Sequence, residues 1–273
     1  MTRLRILALC GLAAAALASV SIAATRPQAG QAEQLLPDLE SAAPSQLMTS
    51  VDTSTGRTRF LLGFGSAADN IGRGPLVVHG DRPDVGAAEM TASQVIRADD
   101  GSETVVPGIG ILRYVVDPTH QHWHLLPFMS YELRHADGYR LARPDTKTGF
   151  CLGDRYLTDA SERLPGEPAS AVYRTNCGLG DTGLLVVEEG ISVGYGDDYA
   201  PWRDGQYLDL TGLPKGRYVL VHRVNKTRVI REMTYANNAS SMLISLTWPN
   251  GTAKKPRVRV VSVCPNTARC AAR

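Results

Sequence analysis

Along this chain the hydrophobic positions fall mainly on every second residue. Phe60, Leu62 and Phe64 share one face of an extended segment. Tyr131 and Leu133 run into Ala136-Asp137-Gly138, beyond which Tyr139 and Leu141 resume the alternation. A period of two places successive side chains on opposite faces of a strand, and a turn tripeptide between two alternating runs predicts a hairpin. Further strands are predicted over 76–78, 111–116, 184–187, 206–210, 217–224, 242–247 and 257–263. Asp99-Asp100-Gly101, Gly212-Leu213-Pro214-Lys215-Gly216 and Pro249-Asn250-Gly251 punctuate them with turn chemistry. No stretch sustains a long amphipathic helical period. The pattern predicts an all-β fold: a single antiparallel β-sandwich domain with long loops and little helix.

The first residues read differently. Arg3 and Arg5 precede an apolar run from Ile6 to Ala18, and Ser21-Ile22-Ala23 offers small residues for cleavage, so residues 1–23 are expected to be a secretory signal. Residues 24–36 lack periodicity and are expected to form a flexible leader, with one folded domain over 37–273. No later stretch reaches the roughly 20 consecutive apolar residues that a membrane span needs. The expectation is a secreted protein without stable membrane insertion. Cys10 lies within the signal. Cys151, Cys177, Cys264 and Cys270 remain, an even set that in an oxidising compartment predicts two disulfides. Three pairings are open; proximity in sequence favours Cys264 with Cys270 and leaves Cys151 with Cys177. The net charge of +2 gives no electrostatic case for a nucleic-acid partner. The basic tail of Lys254, Lys255, Arg257 and Arg259 reads as a solvated edge strand.

Candidate chemistry concentrates in His120-Gln121-His122-Trp123-His124, which holds three of the six histidines on alternate positions. Neutral imidazole ligates copper, zinc, iron and nickel. In a strand the three rings share a face. On a straight strand His120 and His124 lie ~13 Å apart at a rise of ~3.3 Å per residue, whereas a metal bond is only ~2 Å long. A kink or a strand end is therefore expected here, with Asp117-Pro118 supplying the break.

These residues resemble the copper-binding segment of the lysyl oxidase family, His-Gln/Arg-His-Tyr-His, and the likeness continues in sequence order. Lys147-Thr148-Gly149-Phe150-Cys151-Leu152-Gly153-Asp154 is similar to the family's Lys-Ala-Ser-Phe-Cys-Leu-Glu-Asp. A third block runs from Gly190-Ile191-Ser192 through Gly194-Tyr195-Gly196-Asp197-Asp198-Tyr199 to Asp204-Gly205-Gln206-Tyr207-Leu208-Asp209-Leu210, and on into Pro214-Lys215-Gly216-Arg217-Tyr218. Glu232-Met233-Thr234-Tyr235-Ala236-Asn237-Asn238 resembles Glu-Ser-Asp-Tyr-x-Asn-Asn, and Leu36-Pro37-Asp38-Leu39 resembles the family's opening Pro-Asp-Leu.

The resemblance implies a copper-dependent amine oxidase acting on primary amines, peptidyl lysine in a protein substrate foremost, with O₂ as oxidant and aldehyde, ammonia and hydrogen peroxide as products. His120, His122 and His124 would hold Cu²⁺. Tyr199 matches the tyrosine oxidised to a quinone, and Lys147 the lysine whose neutral amine adds to that ring to give lysine tyrosylquinone. A redox-active metal is required for that oxidation, which zinc does not supply. Asp197 is the candidate general base and Asp198 the fallback. Asp38, the Leu39 carbonyl, Glu232, Asn237 and Asn238 match a Ca²⁺ site, oxygen donors being what calcium takes.

The chain departs from the animal enzymes at several positions. Thr234 stands where the family has an aspartate ligand. Thr119, Tyr195 and Gly205 replace cysteines and Tyr207 replaces a tryptophan, so the tyrosine loop is expected to be less tethered. Two other readings stay open: a secreted metal-binding β-sandwich without oxidase activity, and an adhesion-type module.

Overall fold

The fold is described by a computed structural model over residues 32–271, except 118, 119, 146, 148, 159–162, 175 and 204 and the side chains of Asp117 and His120. The expected signal, most of the leader, and Thr119, Thr148 and Asp204 lie outside the described residues. Seventeen strands follow one another without a helix among the described residues. They begin with β1 (Gln34–Leu35), β2 (Leu39–Ser41), β3 (Ser45–Asp52), β4 (Arg59–Asn70), β5 (Leu76–Asp81) and β6 (Glu89–Ala98). The middle of the chain gives β7 (Glu103–Asp117), β8 (His120–Leu126), β9 (Met129–His135), β10 (Leu141–Pro144), β11 (Tyr156–Leu157) and β12 (Val186–Ile191). The last are β13 (Tyr195–Tyr199), β14 (Tyr207–Asp209), β15 (Gly216–Val224), β16 (Ala239–Thr247) and β17 (Arg257–Cys264).

The strands assemble into three sheets in which every pairing is antiparallel. One has the order β12-β5-β6-β7-β8 with β1 on β6; the second is β10-β9-β15-β16-β17; the third is β11-β13-β4-β14 with β2 and β3 also on β4. The all-β, antiparallel expectation holds, and the 136–138 turn does join a hairpin of β9 and β10. β17 is the edge strand that the basic tail suggested, with Arg257 and Arg259 exposed. Pairing starts as early as β1, at the end of the stretch expected to be a leader.

β4 shows why alternation alone misleads. Its apolar run Phe60-Leu61-Leu62 is buried on both faces, and both its edges are paired, by β2 and β3 on one side and β13 and β14 on the other. Strand β6 escaped the sequence reading because its buried face, Met90, Ala92, Gln94 and Ile96, includes a small and a polar residue. The main core gathers Phe64, Trp123, Phe128, Tyr131 and Phe150 with the leucines of β4, β7 and β15. A smaller cluster of Val219, Val221, Leu243 and Cys270 closes the other face of the second sheet under the C-terminal disulfide.

Candidate active site

β8 runs through the histidine motif without a break. Its register against β7 is continuous from Asp117 opposite His120 to Ile111 opposite Leu126. Of the expected kink or strand end, it is the strand end that is found: β7 stops at Asp117 and β8 starts at His120, while residues 118 and 119 lie outside the described residues. Alternation sends Trp123 into the core, where it is 1% exposed, and His122 and His124 to the other face. The rings, not the backbone, converge: His122 Nε2 and His124 Nε2 lie 2.7 Å apart. Imidazole length makes up what strand geometry withholds. The His120 side chain lies outside the described residues.

The free edge of β8 is occupied by two later segments. Leu125 and Phe150 exchange both backbone hydrogen bonds, at 2.8 and 3.1 Å, and the Trp123 N–H donates to the Cys177 carbonyl at 2.9 Å. The Cys151–Cys177 disulfide ties these segments to each other, and Cys264–Cys270 forms the second bridge. Both pairings are those that sequence proximity favoured. Glu189 sits fully buried against the first bridge, its Oε2 3.0 Å from Cys177 Sγ and accepting the Leu152 N–H at 3.0 Å. Burial pushes its carboxyl well above the usual range. Asp154 organises the neighbouring loop by accepting the Val172, Tyr173 and Ser192 N–H groups.

Tyr199 is not on a loose loop. It ends β13, opposite Ser66 of β4, so a strand ladder tethers it where the expected cysteines are missing. Gly63 of β4 is required beside it, since a Cβ there would stand 2.3 Å from the Pro201 carbonyl oxygen. The Tyr199 hydroxyl donates to the Cys151 carbonyl at 3.0 Å and its ring meets Phe150 edge-on at 5.1 Å. Burial, with Asp197 adding its charge, holds the phenol well above its usual range, hence neutral. Lys147 reaches the same ring: its Nζ lies 4.8 Å from the Tyr199 centroid and 5.2 Å from that of Phe150. Gly205, at φ +68°, lets the chain pass Lys147, whose Cα would be 3.3 Å from an added Cβ.

Asp197 shares the face of Tyr199 on β13, whereas Asp198 points the other way and is exposed. Asp197 is 1% exposed, faces Arg155 Nε at 3.4 Å, and has an Oδ2 without a hydrogen-bond partner among the described residues. Burial pushes its carboxyl up to about 8 against the opposing charge of Arg155. A cleft of about 320 Å³ joins these groups, lined by His122, Cys151, Arg155, Asp197 and Tyr199 among others. Arg155 and Glu189 were not singled out from the sequence. Arg155 directly follows the Asp154 block and Glu189 directly precedes the Gly190 block, but neither residue type in those positions signals a role before the fold is known.

The five oxygen-ligand candidates also come together, near the start of the folded chain. Glu232 accepts the Leu39 N–H at 2.7 Å and the Asn238 amide at 2.8 Å, and the Asn225 amide bonds it as well. Asn237 donates to Asp38 at 2.9 Å. The side-chain oxygens of Asn237 and Asn238 are buried without a partner among the described residues. Burial raises the Glu232 carboxyl to about 7.

Against known proteins, a sequence profile for lysyl oxidase matches residues 91–253, more than half of the chain. Lysyl oxidase homolog 3B of Danio rerio is 32% identical over 135 residues, which is 49% of this chain and 14% of that protein. Protein-lysine 6-oxidase of Rattus norvegicus is 29% identical over 123 residues, 44% of this chain and 25% of that protein, and the Homo sapiens protein of the same name is 28% identical over the same length. The chain thus spans at most about a quarter of the length of these curated relatives. The matched profile runs from β6 through the histidine strand to Tyr199 and beyond the Glu232 cluster, and on that ground this chain belongs to the lysyl oxidase family.

Proposed function

We propose that this protein is a secreted copper-dependent amine oxidase that converts primary amines, peptidyl lysine foremost, to aldehydes with release of ammonia and hydrogen peroxide. The observation that carries the reading is the approach of Lys147 Nζ to 4.8 Å from the centroid of the Tyr199 ring, Tyr199 itself lining the same cleft as His122. That approach of two residues far apart in sequence supports a covalent lysine tyrosylquinone between them.

The donor set fits copper. His122 and His124 aim Nε2 atoms at one spot, and His120 is the third ligand of the proposal. Copper with O₂ would supply the oxidation of the Tyr199 phenol, and the resulting quinone would serve as the electron sink for amine oxidation. The remaining work falls to side chains of this chain. Phe150 holds the Tyr199 ring edge-on, and the Cys151 carbonyl fixes its hydroxyl. Asp197 is proposed to take a proton from the carbon bearing the substrate amine, a role supported by its position in the cleft beside Arg155. A carboxyl raised toward neutrality by burial is a stronger base once ionised, which suits that step. The oxygen cluster of Asp38, Leu39, Glu232, Asn237 and Asn238 is proposed as a Ca²⁺ site, supported by the two orphaned amide oxygens. Two disulfides accord with export.

The test is peptide mapping after expression with copper in air. A Lys147–Tyr199 crosslink, a visible quinone band and peroxide from a primary amine are expected, all lost in Lys147→Ala. A Lys147→Ala protein that kept the band and the turnover would overturn the cofactor assignment. Copper binding with no crosslink would favour a metal-binding sandwich without oxidase activity.

A further inference from the structure

A second concavity, of about 270 Å³, shares no lining residue with the histidine cleft. It opens on the second sheet, where β9 and β15 run antiparallel and bring Glu132 and Arg134 beside Arg223. The loop after β15 adds Lys226 and Arg228, and Tyr235 closes one side. Four cations and a single carboxylate therefore line this pocket.

The geometry of that carboxylate is spent on three of them. Glu132 Oε2 accepts from Arg134 Nε at 2.7 Å and faces Arg223 Nε at 3.8 Å, while Oε1 accepts from Lys226 Nζ at 2.6 Å. Arg228 lies over the Tyr235 ring at 5.2 Å, and among the described residues no hydrogen bond to its guanidinium is made. The remaining acids nearby do not restore balance. Asp145 feels both Lys226 and Glu132 but stands outside the wall, and one of its oxygens accepts the Tyr131 N–H at 2.6 Å. Glu232 lies behind Asn225 and Asn238, whose amides already bond it. Like charges crowded in a concave, partly desolvated wall repel, and an anion that bridges them relieves the repulsion with charge-assisted hydrogen bonds.

We infer that this pocket is a binding site for a tetrahedral oxyanion, a sulfate or phosphate group, held by Arg223, Lys226 and Arg228 over the Glu132 cluster. Planar guanidinium forks and a mobile ammonium suit several oxygens of such a group at once. The site is independent of copper and of the oxidase reading, so it can be tested in metal-free protein.

The experiment is calorimetric titration of the metal-free full chain with sodium sulfate, against sodium chloride at matched ionic strength. Saturable one-site binding of sulfate and none of chloride is expected. Lys226→Ser with Arg228→Ser, both at exposed positions, should weaken it by about tenfold or more, the scale of losing charge-assisted bonds. Lys254→Ser with Lys255→Ser removes equal charge elsewhere on the surface and should leave the affinity unchanged. Equal responses to sulfate and chloride, unchanged affinity in the first double variant, or equal weakening in the second would each overturn the assignment.

Discussion

Removing the Cys151–Cys177 bridge, by paired replacement with alanine, should cost more than removing Cys264–Cys270, and should damage the site where the other does not. The bridges close sequence separations of 26 and 6 residues. In the chain-entropy description a cross-link stabilises by restricting the unfolded chain, with a logarithmic dependence on loop length; at 25 °C this gives about 3.5 kcal/mol for the longer loop and about 2 kcal/mol for the shorter. The first bridge also holds the frame of the cleft. The Cys151 carbonyl accepts the Tyr199 hydroxyl, and the Cys177 carbonyl accepts the N–H of Trp123 between the two histidines. Urea unfolding of the two double variants, extrapolated to water, reads the stability difference. The yield of the Lys147–Tyr199 crosslink reads the positional effect. Equal stability losses, or a smaller one for the first pair, would refute the entropic argument. An undiminished crosslink without Cys151 and Cys177 would refute the positioning argument.

His222 supplies a pH test of the core. It is fully buried, with Nδ1 3.0 Å from the Ala42 carbonyl, and burial pushes it from its usual 6.5 down to about 4. A depressed histidine is neutral in the fold while the unfolded chain takes up a proton, so its contribution is complete above 6.5 and is lost as pH falls toward 4, by up to about 3 kcal/mol. Buried acids of raised pKa, Asp197 and Glu232, tilt the profile the other way, so the measurement is the difference between wild type and His222→Gln from pH 7 to 4.5; parallel stability curves would contradict the assignment. Asp197→Asn should lower kcat for amine turnover by roughly 10²–10⁴-fold with little change in KM, and wild-type kcat in that variant would remove Asp197 as the base. Millimolar calcium should raise the unfolding temperature and a chelator reverse it, with no response in Glu232→Gln; an insensitive wild type would show that the oxygen cluster closes on itself.

The legible part of the fold was local. The β9–β10 hairpin announced itself through alternation and a turn, and β15 to β17 through β-branched and aliphatic runs between glycine-rich turns. β13 did not, because Tyr195-Gly196-Asp197-Asp198-Tyr199 reads as a polar loop, and only pairing with β4 makes it a strand. At the site, resemblance located Lys147, Tyr199 and Asp197, whereas Arg155 and Glu189 had no signature, since their roles come from what the fold packs against them.

By itself the sequence determined what depends on neighbours along the chain: all-antiparallel strands, His122 and His124 on one face of β8, and cysteines spaced to pair as they do. Side-chain period and turn chemistry are short-range properties, and they survive whatever surrounds them. The tertiary structure alone decided that Tyr199 lies under the amine of Lys147 beside the cleft of His122. It also decided that Asp197 is buried enough to hold its proton up to about 8. Those facts depend on which distant strands share β4 and β8 and on how completely water is excluded between them, and neither is written in any single segment.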